Sequence, residues 1–318
     1  MRVLVTGASG LLGRAVAREL LAAGHDVRTF QRSASGVAGV TDARGSLTDD
    51  AAVRQAVAGM DAVVHLAAKV SLAGDPGDFV RVNVDGTASL LAAARDAGVT
   101  RFVHTSSPSV AHSGASIVGA GAEPADPARA HGDYARTKAR GELLALAADA
   151  AGFAVAVVRP HLVWGPGDTQ LVARIVDRAR RGRLPLLGDG QALIDTTYID
   201  NAASAFVAAL DRAPEVHGRS YVITNGEPRP VAELLAGICR AAGVRPPAWS
   251  VPASVARGAG SLVERFWRGP DEPPMTRFLA EQLSTAHWFD QSAVRAELGW
   301  TPAVSLDEGF ARLAASYR

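Results

Sequence analysis

Short apolar runs alternate with longer stretches of helical periodicity through much of the chain. Arg2-Val3-Leu4-Val5 leads into glycines, after which Ala15, Val16, Leu20 and Leu21 recur at helical spacing as far as Gly24. Asp26 to Phe30 reads as a second strand. A cap near Thr48 or Asp49 starts a helix over about 50–58 that Gly59 closes, and Ala62 to Leu66 is a buried strand. Val82 to Thr87 opens a helix through Leu90, Leu91 and Ala94 to Gly98, and Arg101 to His104 is the next strand. A helix from Tyr134 continues through Leu143, Leu144 and Leu146. Ala154 to Val158, residues 170–180 and Ser220 to Thr224 then read as strand, helix and strand. This alternation predicts an α/β fold, a doubly wound parallel sheet whose ligand lies across the carboxyl ends of its strands. Beyond Asn225 turns and helices dominate, which predicts a smaller, mostly helical C-terminal substrate lobe. The expected division puts residues 1–162 and 192–226 in the sheet domain and 163–191 and 227–318 in the lobe. Within the lobe, Val251, Val255, Leu262, Val263, Phe266 and Trp267 recur at roughly helical spacing. They give an apolar face expected to be core, rather than the lining of an alkyl tunnel or a contact for a partner enzyme.

The turn after the first strand carries the first chemistry. In Thr6-Gly7-Ala8-Ser9-Gly10-Leu11-Leu12-Gly13, Gly7 permits a tight turn, Gly10 lets a pyrophosphate approach the backbone, and Gly13 lets the helix pack close to the strand. The helix N-terminus adds free amides and positive dipole. Glycines alone would be weak, but with a strand before and a helix after they mark a Rossmann-type dinucleotide site. At the end of the second strand an NAD site usually carries Asp or Glu for the ribose 2′-hydroxyl. This chain has Phe30-Gln31-Arg32-Ser33, and Arg32, joined by Arg28, is placed to pair with a 2′-phosphate. The expected cofactor is NADP(H).

Composition narrows the partners. Charged residues make up 20% of the 318 and the formal net charge is +1, so neither nucleic acid nor an anionic membrane surface is expected. The single cysteine, Cys239, leaves no internal disulfide and suits a reducing cytoplasm, with a buried inert thiol expected. Glycines and then Arg14, Arg18 and Glu19 interrupt the apolar N-terminus, so it reads neither as signal peptide nor as membrane span. The eight histidines show no paired ligand spacing, and no metal is expected.

Catalytic chemistry gathers in the middle of the chain. Ala62 to Leu66 runs into Ala67-Ala68-Lys69, small residues that suit close passage of a cofactor ribose. The strand at Arg101 delivers Thr105-Ser106-Ser107-Pro108, three hydroxyls at a strand end, although a plain polar turn would use the same residues. Tyr134 and Lys138, four apart at the start of a helix, project from one face. A phenol is a poor acid–base group near neutrality, and an adjacent ammonium is expected to lower its pKa toward the working range. That spacing alone is weak, but after a glycine turn and a serine cluster in this order it is strong.

The chain resembles the extended short-chain dehydrogenase/reductase family. The resemblance rests on the Thr6 to Gly13 turn, Leu66-Ala67-Ala68, Asn83 to Thr87, Thr105 to Ser107, Tyr134 with Lys138, Arg159-Pro160, Trp164 to Gly167, and Leu298-Gly299-Trp300-Thr301-Pro302. It implies that Tyr134 is the catalytic acid/base, that Lys138 anchors the nicotinamide ribose, and that Ser107 hydrogen-bonds the substrate carbonyl. It further implies cofactor contacts from Gly7, Ser9, Gly10, Leu11, Leu12, Gln31, Arg32, Ser46, Leu47, Leu66, Ala67, Ala68, Asn83, Pro160, Leu162 and Val163. Many relatives have Asp where this chain has Ser46, which puts the adenine contact in question.

Four later segments carry a narrower likeness: Thr105 to Val110, Arg159 to Asp168, Asp195 to Asn201 and Pro274 to Leu279. They are similar to the bacterial 2-alkyl-3-oxoalkanoate reductases of long-chain olefin biosynthesis, relatives of the 3β-hydroxysteroid and sterol-4-carboxylate dehydrogenases. The likeness implies NADPH-dependent reduction of a lipid-like 2-alkyl-3-keto acid before β-lactone formation. It leaves open a homodimer and assembly with other enzymes of that pathway. Lys69, at a strand end beside the expected nicotinamide, is a candidate partner for the substrate carboxylate, with His161 and Arg277 as alternatives. A steroid or sterol-carboxylate dehydrogenase and a nucleotide-sugar epimerase compete with this reading. A dehydratase would need an acid beside the serines, and a redox sensor would need no proton donor. Replacing Tyr134 with Phe is expected to lower turnover by about 10² to 10⁴-fold while dinucleotide binding stays near normal; stopped-assay rates and cofactor titration check both halves.

Overall fold

The computed structural model describes residues 1–71, 74–112, 114–266 and 276–318. Their central sheet has seven strands: β1 (Arg2–Thr6), β2 (Asp26–Gln31), β3 (Thr41–Arg44), β4 (Ala62–His65), β5 (Arg101–Thr105), β6 (Ala154–Pro160) and β7 (Arg219–Ile223). Their order is β7-β6-β5-β4-β1-β2-β3 and every neighbouring pair is parallel. The winding reverses between β1 and β4, where a doubly wound sheet opens its ligand crevice.

Helices α1 (Leu11–Ala22), α2 (Asp50–Val57), α3 (Gly86–Asp96), α4 (Gly132–Ala147) and α5 (Ile199–Asp211) cover the sheet. Coverage of both faces explains why the strands read as unbroken apolar runs. Val3 and Val5 join Val16 and Leu20 of α1 and Phe206 and Leu210 of α5 in one cluster. Leu4, between them, lies in the opposite cluster with Val53 and Val57 of α2 and Leu90 and Leu91 of α3. Two glycines set how closely α1 approaches β1. A Cβ on Gly13 would stand 2.3 Å from the Gly7 carbonyl oxygen, and one on Gly7, at φ +76°, would stand 2.8 Å from the Ala67 amide nitrogen.

Several elements are invisible to periodicity. A second sheet orders four short strands as Arg229–Pro230, Leu193–Ile194, His287–Phe289 and Ile117–Ala120, and strands of two to four residues show no repeat. Strand β3 lies in what reads as a polar stretch. The helix expected from Val82 opens as a single π-helical turn, Arg81–Asp85, which follows the short helix Pro76–Val80 and runs on into α3 through Leu90, Leu91 and Ala94.

The apolar spacing near residue 255 does not mark core. Helix Ala253–Phe266 leaves Val255 57% and Leu262 61% exposed and turns Ala256 and Gly260 inward. A Cβ on Gly260 would stand 2.6 Å from the backbone at Thr276 and Arg277, where the next helix, Arg277–Ser284, begins. The small residues admit the neighbouring backbone, and the branched ones are left outside. Trp267, Pro274 and Met275 lie outside the described residues. No helix among the described residues is long and apolar enough to cross a membrane.

Gly13→Ala forces backbone apart, so it is expected to cost about 1–3 kcal/mol and to weaken dinucleotide binding. Denaturant melts should show a lower midpoint at unchanged slope.

Candidate active site

The sequence-predicted site residues converge on the carboxyl edge of the sheet. Gly7, Ser9 and Gly10 leave β1, and Leu11 and Leu12 begin α1; Arg32 follows β2, which ends at Gln31; Ser46 and Leu47 follow β3. Leu66, Ala67, Ala68 and Lys69 leave β4, Ser107 leaves β5, and β6 ends at Pro160 with His161, Leu162 and Val163 beyond it. The β1–α1 turn fits a pyrophosphate on its own geometry. Gly10 caps α1 with no side-chain hydrogen bond, the first turn holds no acidic residue, and Gly7 presses against Ala67 with no room for a side chain. Leu162 is held at φ 42°, the one non-glycine residue at positive φ among those described, with its carbonyl accepting from the Thr197 amide at 3.3 Å. Such strain persists only where surroundings impose it, and it clusters at ligand sites.

Ser106 donates its amide to the Val158 carbonyl at 2.8 Å, carrying the β5/β6 pairing into the hydroxyl run. Ser107 then caps the turn Pro108–Ala111, its Oγ accepting from the Ser109 amide at 3.3 Å and from the Ser109 hydroxyl at 3.0 Å. Having accepted twice, it keeps its own proton for a further acceptor, and the Tyr134 phenol lies beside it. Burial raises the Tyr134 phenol above its ordinary pKa, and the Ser107 bond pulls the other way. Lys138, one turn further along α4, is buried and donates to the Thr105 carbonyl. Burial lowers its pKa to about 8, with the charge of Glu142 opposing. The expectation that Lys138 lowers the Tyr134 pKa is therefore corrected. The ammonium is committed to the end of β5, and desolvation governs the phenol.

Beneath these groups lies an ion pair that sequence reasoning missed. Arg159 on β6 and Glu142 on α4 are 1% and 0% exposed, and Arg159 Nε donates to Glu142 Oε2 at 2.9 Å while its Nη2 donates to Oε1. Arg159 Nη1 also donates to the Glu123 carbonyl at 2.7 Å, and the Ser220 hydroxyl on β7 donates to Glu142 at 2.7 Å. Their signal was the Arg159-Pro160 motif and the Glu one turn after Lys138.

A chain of hydrogen bonds links the cofactor edge to α4. Thr6 Oγ1 accepts from the amides of Leu66 and Ala67 at 3.1 and 3.0 Å, so its proton goes to His65 Nδ1 at 2.8 Å. That fixes the tautomer by assignment: Nε2–H donates to Thr87 Oγ1 at 3.0 Å, which donates to the Asn83 carbonyl at 2.9 Å. The side chain of Asn83, an expected cofactor contact, is instead engaged with protein. Its Oδ1 accepts from the Lys69 amide at 2.7 Å, and its Nδ2 donates to the Lys69 carbonyl and to Thr137 Oγ1, each at 3.1 Å.

Other candidates are also engaged. Lys69 Nζ pairs with Asp78 at 3.0 Å and sits 5.2 Å from the Phe79 ring centroid. His161 Nδ1 bonds the Asp195 carbonyl at 2.6 Å. Ser46 Oγ bonds Thr48 Oγ1 at 2.8 Å. Arg28 is not available beside Arg32, because its Nη1 donates to the carbonyls of Ala56 and Ala58, each at 2.9 Å. Gln31 Nε2 donates to Thr29 and to Asp42, a carboxylate that reaches the end of β2 from β3 and also accepts from the Ser35 amide at 3.2 Å. Asp42 went unread because β3 did. Arg32 is exposed.

A glycine cradle at the head of a parallel sheet, with Tyr134 and Lys138 facing Ser107 across its edge, defines a nicotinamide-dependent oxidoreductase of the short-chain dehydrogenase/reductase type. The chain belongs to the NAD dependent epimerase/dehydratase family, whose signature matches residues 3–224. It is 45% identical to the 2-alkyl-3-oxoalkanoate reductase of Stenotrophomonas maltophilia (strain K279a), over 99% of both chains. The protein of the same name from Shewanella oneidensis is 39% identical, over 98% of this chain and 85% of that one. Among solved structures, a dTDP-glucose 4,6-dehydratase double mutant from Streptomyces venezuelae with NAD bound superposes with a TM-score of 0.77. It is 26% identical and covers 100% of this chain and 97% of that one.

The raised Tyr134 pKa keeps its proton in place through neutrality, which leaves Lys138 as the group titrating near the working range. The kcat/KM for carbonyl reduction is expected to fall as pH rises through about 8, where Lys138 loses its charge. In Lys138→Arg the charge persists, so the limb should move to higher pH even if the absolute rate drops. Paired pH–rate profiles check this.

Proposed function

We propose that the protein reduces a 2-alkyl-3-oxoalkanoic acid to the 2-alkyl-3-hydroxyalkanoic acid with NADPH, in a long-chain olefin or β-lactone pathway. One observation carries the reductive direction: desolvation raises the Tyr134 phenol beside Ser107 above its ordinary pKa, so it holds its proton as a donor for an oxygen that gains charge. Likeness to two reductases of that name over nearly the full chain supports the substrate class. When bound, the reduced nicotinamide supplies a hydride. Ser107 orients the ketone oxygen through its hydroxyl, and Tyr134 gives that oxygen its proton. Lys138 holds positive charge behind the phenol and meets a ribose at the end of β5. The glycine turn and the amides of α1 take the pyrophosphate, and the lobe of residues 163–191 and 227–318 supplies the wall for the alkyl chains.

NADPH is favoured because no free carboxylate stands at the end of β2. Asp42 is held by Thr29, Gln31 and Ser35, and the Arg32 guanidinium is exposed there. Incubation with NADPH and a panel of 3-keto acids, sterol ketones and UDP-sugars, followed by nicotinamide absorbance, tests the reading. Preference for a sterol or a UDP-sugar would sink it. Arg32→Ala is expected to raise the KM for NADPH about 10-fold or more, as loss of a charged hydrogen bond should, and to change that for NADH little. Equal changes would take 2′-phosphate recognition away from Arg32.

A further inference from the structure

Three histidines from separate parts of the chain meet beyond the carboxyl ends of β5 and β6. The rings of His112 and His287 cross edge to face at 4.7 Å between centroids, and those of His161 and His287 at 5.9 Å. All three are nearly sealed from solvent, at 3%, 1% and 5% exposure for His112, His287 and His161. His161 is satisfied by the Asp195 carbonyl and the Gln282 side chain. His287 Nε2 bonds Thr285 Oγ1 at 3.1 Å. Both ring nitrogens of His112 have no hydrogen-bond partner among the described residues, while His287 also meets the Gln282 backbone. Buried polar nitrogens of this kind cost stability, and a group of them in one place calls for a ligand or a function. No set of three or more His, Cys, Asp or Glu among the described residues is arranged to hold a metal ion, so a hydrogen-bond acceptor is the better match.

The position fits the chemistry of the substrate. His112 directly follows the 3₁₀ turn that Ser107 caps, which keeps it within about 10 Å of Ser107 at the rise of such a turn. A 3-oxo acid carries its carboxylate two bonds from the carbonyl carbon, so whatever holds the carboxylate must lie near Ser107. Lys69 is already committed to Asp78. We infer that His112, backed by His287, receives the substrate carboxylate through its free ring N–H. This rests on the keto-acid reading above. Burial lowers the His112 pKa and keeps the ring neutral; of the groups facing it, Glu281 on helix Arg277–Ser284 favours protonation and His131 ahead of α4 opposes it. Glu281 is in turn paired with His131 at 3.2 Å and Arg277 at 2.8 Å, so its charge is compensated before a second carboxylate arrives.

The test uses a 2-alkyl-3-oxo acid and its methyl ester with the full-length protein, wild type, His112→Leu and His112→Gln. In His112→Leu the KM for the acid should rise about 10- to 100-fold more than that for the ester, the range of a lost hydrogen bond to a charged group. His112→Gln, whose amide still donates, should show a smaller split and stands in if the Leu variant does not fold. Equal changes for acid and ester in the folded variants would overturn the assignment while leaving the reductase reading intact. A wild-type protein that reduces neither compound but turns over a sterol or a nucleotide sugar would overturn both.

Discussion

The buried pair of Arg159 and Glu142 holds the catalytic helix in place. Both charges are shut away from water, so each depends on the other and on the Ser220 hydroxyl and Glu123 carbonyl for solvation. Such a pair adds little net stability compared with apolar residues of similar size, yet removing one partner costs about 3–5 kcal/mol because the survivor is stranded. Its value here is positional. It joins α4 to β6 and β7 one turn below Lys138, so the face that presents Tyr134 and Lys138 cannot slide along the sheet without breaking charge-assisted bonds.

Around that anchor, desolvation outweighs local charge. The phenol is pushed up, Lys138 is pushed down to about 8, and His65, His161 and His287 are pushed down to about 3, 4 and 3. In every case burial is the leading cause. The site is thus a region of neutral donors with one readily titrated ammonium, which suits giving a proton to an oxygen that becomes charged as hydride arrives.

The sheet was legible because its strands are buried on both faces and its helices have one apolar stripe, so period and burial agree. The glycine turn and the Tyr134/Lys138 pair were legible because their chemistry needs fixed residue types at fixed spacing. What escaped notice depends on contacts across the fold. Asp42 reaches Gln31 from a strand too short and polar to register. Glu142 finds Arg159 only after α4 packs on β6. Val255 and Leu262 look like core until Gly260 shows which face admits the neighbouring backbone. The partners of Asn83 and Lys69 escaped in the same way, since they are set by the π-helical turn and by Asp78.

The bonds running from Thr6 through His65 and Thr87 to Asn83 have a consequence for how the enzyme meets acid. Each hydroxyl and the imidazole pass their proton in the same sense, and the run works only while the ring stays in a single neutral tautomer. With His65 lowered to about 3, that tautomer persists far below the pH at which an exposed imidazole would take a second proton. An imidazolium would turn an acceptor into a donor and set two hydrogens against each other at Thr6. The loop after β4 would then lose its grip on two backbone amides at once. Sealing this one ring from water therefore gives the cofactor edge an alignment that is indifferent to ordinary acidification, although the chain uses a histidine to make it.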